Sequence, residues 1–353
     1  MISIGLLNPE SSVFPAVASM ITSFPTLCPN LQSITVYRLP RDPKTISAVS
    51  EMILATNRST LRRFHVESPL TKEAREVVHE LSDLRGLSVV IERDAPLPSA
   101  VLPSLTHLLL KYDRDGDWRP IFHGATFGNL ESVAFHSESE KIGDFVEAIE
   151  NVRLATSTQK LSRFSFRASC RWTPNYSSLL PFTQLTTLVI AFSCNGGCSS
   201  NVDDSIITDI AQAMPKLNVL RLGGFPCNQI LTGVTARGLV VLANHCPDLF
   251  SLCVHFQVAS FSDLAPDMNS NETASNAGPA PLRSDCGLVE LEIGDIPLPE
   301  ESVLVAASIL ARIFPRIEEV VYVNQNWRKV MDVIHLSRRP NGFPSKERSL
   351  STL

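Results

Sequence analysis

The chain has 353 residues, 44% of them hydrophobic, with 31 Lys and Arg against 36 Asp and Glu and a formal net charge of −5. That balance shows no basic excess of the kind that marks a nucleic-acid binder. It contains no run of about 18 apolar residues, so no membrane-spanning helix is expected.

The N-terminus, Met1-Ile2-Ser3-Ile4-Gly5-Leu6-Leu7, has no basic segment, and its apolar stretch stops at Asn8-Pro9. It is not a signal peptide by these criteria, and residues 1–23 are predicted to be a lead-in or partial repeat. The eight cysteines (28, 170, 194, 198, 227, 246, 253, 286) show no framework spacing. A reduced intracellular protein, cytoplasmic or nuclear, is the expectation.

From residue 31 a six-residue phrase recurs with apolar residues at its first, fourth and sixth positions. Its occurrences begin with Leu31/Ile34/Val36, Leu61/Phe64/Val66, Leu84/Leu87/Val89, Leu105/Leu108/Leu110, Leu130/Val133/Phe135 and Leu161/Phe164/Phe166. They continue with Leu185/Leu188/Ile190, Leu217/Leu220/Leu222, Leu249/Leu252/Val254, Leu288/Leu291/Ile293 and Ile317/Val320/Tyr322. Eleven hexads at intervals of roughly 21 to 39 residues are the mark of a solenoid. Within each, positions four and six have the alternation of a short strand with one face buried, and position one anchors the chain just before it.

Between the hexads, apolar residues spaced by three and four predict helices over Thr45–Arg58, Thr71–Asp83, Gly143–Ala155, Asp203–Met214, Thr235–His245 and Glu300–Ile313. Thr71, Asp203 and Thr235 are helix-start residues. Pro215 and Pro247 end two of the helices, each two residues before the next anchor leucine. Four intervals are too short or too polar for a full helix: those after Leu84, Leu105 and Leu161, and the one after Val258. Residues 260–285, with Asp267–Glu272 and Gly278-Pro279-Ala280-Pro281, are predicted to be a mobile insertion. Residues 337–353 are predicted to be a disordered tail.

The predicted fold is therefore α/β, a leucine-rich-repeat solenoid of about eleven irregular repeats over residues 24–336. A curved parallel sheet would line its concave face, with helices and loops on the convex face.

Two joints carry a more specific likeness. Thr235-Ala236-Arg237-Gly238-Leu239-Val240-Val241-Leu242-Ala243-Asn244-His245-Cys246-Pro247-Asp248-Leu249 resembles the cysteine-containing, ribonuclease-inhibitor-like repeat of fungal F-box/leucine-rich-repeat proteins. Phe24-Pro25-Thr26-Leu27-Cys28-Pro29-Asn30-Leu31 is similar at its end, Ala213-Met214-Pro215-Lys216-Leu217 keeps the joint without cysteine, and Asp204–Ala211 looks like the family's helix opening. The resemblance implies a substrate-recognition subunit of an SCF-type ubiquitin ligase, tied to a cullin through a Skp-type adaptor, with transfer chemistry on other subunits. An F-box is a helical module of about 40–50 residues ahead of the repeats, and only about 23 residues precede the first complete repeat here. The alternative is a free-standing scaffold or regulator. The ninth repeat position holds Leu39, Pro69, Glu92, Asp113 and Glu138 in the first five repeats, not the asparagine of extracellular arrays.

If positions four and six are buried, positions three, five and seven face the concave side. These are Ser33, Thr35, Tyr37; Arg63, His65, Glu67; Gly86, Ser88, Val90; His107, Leu109, Lys111; Ser132, Ala134, His136; and Arg163, Ser165, Arg167. Thr187, Val189, Ala191; Val219, Arg221, Gly223; Ser251, Cys253, His255; Glu290, Glu292, Gly294; and Glu319, Val321, Val323 follow.

The face is polarised. Arg63, Lys111, Arg163, Arg167 and Arg221, with His65, His107, His136 and His255, precede a run of Glu290, Glu292 and Glu319. Such a field can orient an acidic segment of a partner protein, although any solvent-facing strand position calls for polar residues.

Chemistry-bearing patterns are sparse. Cys194-Asn195-Gly196-Gly197-Cys198 lacks a second ligand pair for zinc, and Asp113-Arg114-Asp115-Gly116-Asp117 lacks the closing glutamate of a calcium loop. Cys246 sits where a buried structural thiol is expected. Trp118, Trp172 and Trp327 fall in connections, as core plugs or exposed anchors. No phosphate loop, dinucleotide fingerprint or nucleophile elbow occurs. The expectation is a non-enzymatic, cofactor-free protein-binding module, monomeric outside its complex.

Overall fold

The computed structural model describes residues 2–5, 14–37, 39, 42–78, 80–91, 102–112, 122, 126–137, 145–169, 175–193, 202–223, 233–264, 285–294, 296–322 and 324–338. Its strands are β1 Ile2–Gly5, β2 Ser33–Tyr37, β3 Arg63–Val66, β4 Gly86–Ile91, β5 His107–Tyr112 and β6 Ser132–Ser137, followed by β7 Arg163–Ser169, β8 Thr187–Ser193, β9 Val219–Leu222, β10 Ser251–Val254, β11 Glu290–Gly294 and β12 Glu319–Tyr322. Its helices are α1 Phe14–Leu27, α2 Pro43–Ala55, α3 Lys72–Val78, α4 Phe145–Ala155, α5 Asp204–Ala213, α6 Ala236–His245, α7 Val303–Ile313 and α8 Asn326–Arg338. Among the described residues all twelve strands form one parallel sheet, each beside its predecessor in sequence. Parallel neighbours require a crossover between them, and among the described residues helices α1 to α7 supply it in seven of the eleven intervals.

The sheet is held at a fixed point in every repeat. The carbonyl of hexad position two accepts two N–H groups, from positions two and three of the next repeat, at 2.7–3.1 Å. Gln32 does this for Arg62 and Arg63, and the pattern continues unbroken to Val289, which serves Glu318 and Glu319. Positions one, four and six are buried in every hexad except at Tyr322, which is partly buried, and they merge with the inner sides of the helices into one continuous core.

A further repeating position lies three residues before the anchor. Leu81, Leu102, Phe127, Phe182, Met214, Cys246 and Phe314 are all buried there, and each carbonyl accepts the anchor's N–H.

Local chemistry sets the helix ends. Asp42 caps α2, accepting from the N–H groups of Lys44 (2.9 Å) and Thr45 (3.1 Å), with Pro43 at the first helical position. The Thr45 hydroxyl beside it holds the Asp42 carboxyl below its ordinary value. This moves the start of α2 two residues ahead of Thr45. Thr71, Asp203 and Thr235 cap α3, α5 and α6 as their residue types suggest. Lys72–Val78 and Asp204–Ala213 are shorter than the periodicity implied, because turns take over their last residues.

The ends of the array hold more structure than the hexads announce. Ile2 and Ile4 pair with Ile34 and Val36, and α1 buries Val17 and Ile21 while packing on α2, so the boundary drawn at residue 23 falls inside a helix. At the other end α8 buries Trp327, Val330, Met331 and Ile334, spaced as one helical face, and runs through Ser337 and Arg338. The Trp327 indole N–H donates to the Ile296 carbonyl at 2.9 Å, making this tryptophan a core plug. In the insertion assigned to 260–285, Ser260, Phe261 and Leu264 are buried; residues 265–284 lie outside the described residues, as do 339–353, Trp118, Trp172 and the Cys194–Cys198 and Asp113–Asp117 segments.

Where helices are lacking, aromatic rings fill the space behind the sheet. Phe122 meets Phe127 (ring centroids 5.9 Å) and Phe135 (6.0 Å), and Phe135 meets Phe164 (6.0 Å) and Phe166 (6.1 Å). Among the described residues no helix is long and apolar enough to cross a membrane.

Substitutions at three positions test this architecture. Leu220→Ala should cost about 2–5 kcal/mol, and Leu220→Asp should abolish the cooperative thermal transition, because its carboxylate would have no partner in the core. A Cβ at Gly238 would collide with Asp204 Oδ1, an oxygen already fixed by the Thr235 N–H at 2.7 Å. Gly238→Ala should therefore cost about 1–3 kcal/mol, whereas Gly128→Ala, with open space around it, should be near neutral in the same urea titration.

Candidate functional site

Because each strand pairs in phase with the last, side chains at one hexad position form a row across the sheet, about 4.8 Å from strand to strand. On the face away from the helices, the row at position three runs Ser33, Arg63, Gly86, His107, Ser132, Arg163, Thr187, Val219, Ser251, Glu290, Glu319. The row at position five runs Thr35, His65, Ser88, Leu109, Ala134, Ser165, Val189, Arg221, Cys253, Glu292, Val321. Large charged residues alternate with small ones, and the large ones lie down over their small neighbours. Seven positions expected to be solvent-facing are buried: Ser33, Ser88, Val90, Val189, Gly223, Ser251 and Cys253.

Arg63 leans over β4, where its Cγ lies 3.3 Å from the point a Cβ on Gly86 would occupy. Arg163 reaches from β7 across Ser132 to β5, placing Nη2 2.9 Å from His107 Nε2. A guanidinium only donates, so Nε2 must be the acceptor and the ring proton sits on Nδ1. Nδ1 lies 2.8 Å from Thr106 Oγ1, whose own proton goes to the Arg85 carbonyl at 2.9 Å. Partial burial of the ring, then the Arg163 and Arg63 cations, hold the His107 pKa below its ordinary value against the opposing pull of Glu131.

One strand position further along, Lys111 Nζ is paired with Glu67 Oε1, and Glu67 also lies 4.0 Å from His65 Nε2. Burial and Lys111 lower the His65 pKa, with Glu67 opposing; burial, Arg167 and Lys111 lower that of His136, again against Glu67. His255 is lowered by burial, beside Gly223, which has φ +117. The four histidines therefore add no charge to this face near neutrality, contrary to their expected place in a basic field.

Arg221 also leaves that field. It spans β10 to reach Glu292 (Nη1 to Oε2, 3.0 Å) and Glu290 (Nη2 to Oε1, 3.6 Å), so the acidic end of the face is partly neutralised by its neighbour. Cys253, beneath this pair, has its thiol pushed up to about 12, by burial first and by Glu292 next. Glu319 stands exposed on β12. Arg63, Arg163 and Arg167 remain, exposed and without a carboxylate partner among the described residues. Together with His107 and His136 they form an anion-attracting patch over β3 to β7. Thr106 and Glu67 belong to it as well; at hexad position three the signal that marks it is a histidine, His107, set off by small residues, Gly86 and Ser132, from the arginines on either side.

The buried cysteines are structural in their contacts. Cys246 Sγ lies 3.7 Å from the Met214 carbonyl and 3.9 Å from that of Ala211, and Cys286 Sγ lies 3.6 Å from the Cys246 carbonyl. Burial pushes the Cys246 thiol up to about 12. Among the described residues no group of three or more His, Cys, Asp or Glu could hold a metal ion.

The lowered histidines make stability depend on pH. A base with a folded-state pKa below its unfolded value, about 6.5, binds fewer protons folded than unfolded, so stability is full above that value and falls as pH drops through it. Thermal midpoints should decline between about pH 7 and about pH 5.5, and the His65→Gln/His136→Gln variant should show a shallower decline. An unchanged decline would place the titration elsewhere. No protein-family model matches the chain, and no curated protein sequence matches it.

Proposed function

We propose that the chain is a leucine-rich-repeat solenoid acting as a non-enzymatic protein-binding array, with the exposed face of the sheet as its concave side. The observation that carries this is the Arg63, Arg163 and Arg167 patch: three exposed cations without carboxylate partners among the described residues, held on one sheet over β3 to β7. A partner would lay an acidic segment across it. Supporting the repeat class are the sequential parallel order, the carbonyl ladder that recurs with every hexad, and the buried joint residues. The resemblance of Thr235–Leu249 to fungal F-box/leucine-rich-repeat proteins favours substrate recognition for an SCF-type ubiquitin ligase, through a Skp-type adaptor and a cullin in the cytoplasm or nucleus.

A free-standing scaffold is the second reading. It rests on the exposed face of the sheet alone and calls for no further subunit.

The two separate by what a tagged chain recovers from its own cell. Cullin with the adaptor supports the ligase receptor, and a defined partner without them supports the scaffold. For either, Arg163→Glu with Arg167→Glu should leave the thermal midpoint within about 2 °C and weaken the recovered partner roughly tenfold or more, mostly through association rate. Binding undiminished in a well-folded double variant would remove this face from the interface.

A further inference from the structure

His107 has both ring nitrogens committed. Nδ1–H donates to Thr106 Oγ1 and Nε2 accepts from Arg163 Nη2, and this pattern exists only for the neutral ring. Protonation at Nε2 would remove the acceptor and set two cations face to face. Arg163 is thus parked on a neutral histidine rather than on a carboxylate. Arg63 approaches β5 from the opposite side over Gly86. The two arginines start four strands apart, roughly 19 Å at about 4.8 Å per strand, and both lean inward.

The other charged groups facing His107 are few. Glu131 precedes β6, Arg85 precedes β4 and offers its carbonyl to Thr106, and Lys111 on β5 itself is paired with Glu67. β4 contributes no titratable side chain at its described positions. Among the described residues Arg63 and Arg163 act on His107 against Glu131, and neither arginine is paired with a carboxylate.

We propose that His107 is a proton-linked seat for a carboxylate side chain of the partner. The incoming carboxylate settles between Arg63 and Arg163 and draws the Arg163 guanidinium off Nε2. His107 then takes one proton from solvent at Nε2 and donates it as a further hydrogen bond to the same anion. The Thr106 link is kept throughout, so the ring turns from acceptor to donor without moving. This deepens the protein-binding reading and rests on it. The consequence is directional: capture of an acidic segment takes up a proton and tightens as pH falls, over the window between the pKa of His107 in the free protein and its higher value beside the bound carboxylate.

The test uses the full chain and a fluorescein-labelled oligoaspartate peptide, whose carboxylates stay ionised from about pH 8 to about pH 6, at one ionic strength because the contact is screened by salt. Affinity should rise with falling pH by up to roughly tenfold per unit, the limit for one linked proton. Titration calorimetry in buffers of different ionisation enthalpy should show net proton uptake. His107→Gln, whose amide oxygen can still hold Arg163 but cannot titrate, should bind at the upper pH and lose the slope. Arg163→Gln should bind weakly at every pH. Binding with no slope and no proton uptake overturns the linkage and leaves the protein-binding face standing, and a slope that survives His107→Gln overturns it too. Failure of the wild-type chain to bind oligoaspartate at any pH overturns both the seat and the acidic-partner reading.

Discussion

One carbonyl oxygen per repeat, at hexad position two, accepts two N–H groups from the next repeat, and the rest of the structure depends on that junction. It fixes the register of every parallel pair at the point where the chain enters the strand. A slip by one residue would exchange the buried and exposed faces of a strand. With the register repeated, the apolar residues at positions four and six stack into a continuous core, and residues at three and five form straight rows on the opposite face.

The space behind the sheet is filled differently along the chain, and sequence spacing explains how. Long intervals carry capped helices, linked between repeats by contacts such as the Asp204 carboxylate on the Thr235 N–H and hydroxyl. The short interval between β5 and β6 brings Phe122 and Phe127 instead, which join the strand residues Phe135, Phe164 and Phe166 in a chain of ring contacts. The cysteine joints serve the same end: a buried thiol lies against the carbonyls of the preceding turn as a second, weak donor.

On the exposed face, pairing decides which charges are available. Lys111 and Arg221 are spent on Glu67 and on Glu290 and Glu292, while Arg63, Arg163 and Arg167 have no such partner among the described residues. Gly86 and Ser132 matter as much as the arginines, because their small side chains let Arg63 and Arg163 lie across the sheet toward His107. The histidines, held neutral by burial and by these same cations, work as hydrogen-bonding groups and not as added charge.

Much of the fold was legible in the residues. The hexads, the helix intervals between them and the caps at Thr71, Asp203 and Thr235 are local patterns, and local hydrogen bonds and side-chain periodicity produce them. Helix α8, past the last hexad, was not among the predicted helices, although Trp327, Val330, Met331 and Ile334 stand at helical spacing. Other features had no local signature. Strand β1 has no anchor leucine and is identified only by pairing with β2. Burial of Ser88, Ser251 and Cys253 follows from long side chains on neighbouring strands, and the Lys111–Glu67 and Arg163–His107 contacts join residues 44 and 56 positions apart. The sequence by itself determined which residues turn inward and that the chain repeats, because the period of an apolar pattern is a property of one segment. Which charges meet, which stay unpaired and which ring nitrogen of His107 accepts were decided only when register set the strands side by side, since those interactions depend on distances between repeats.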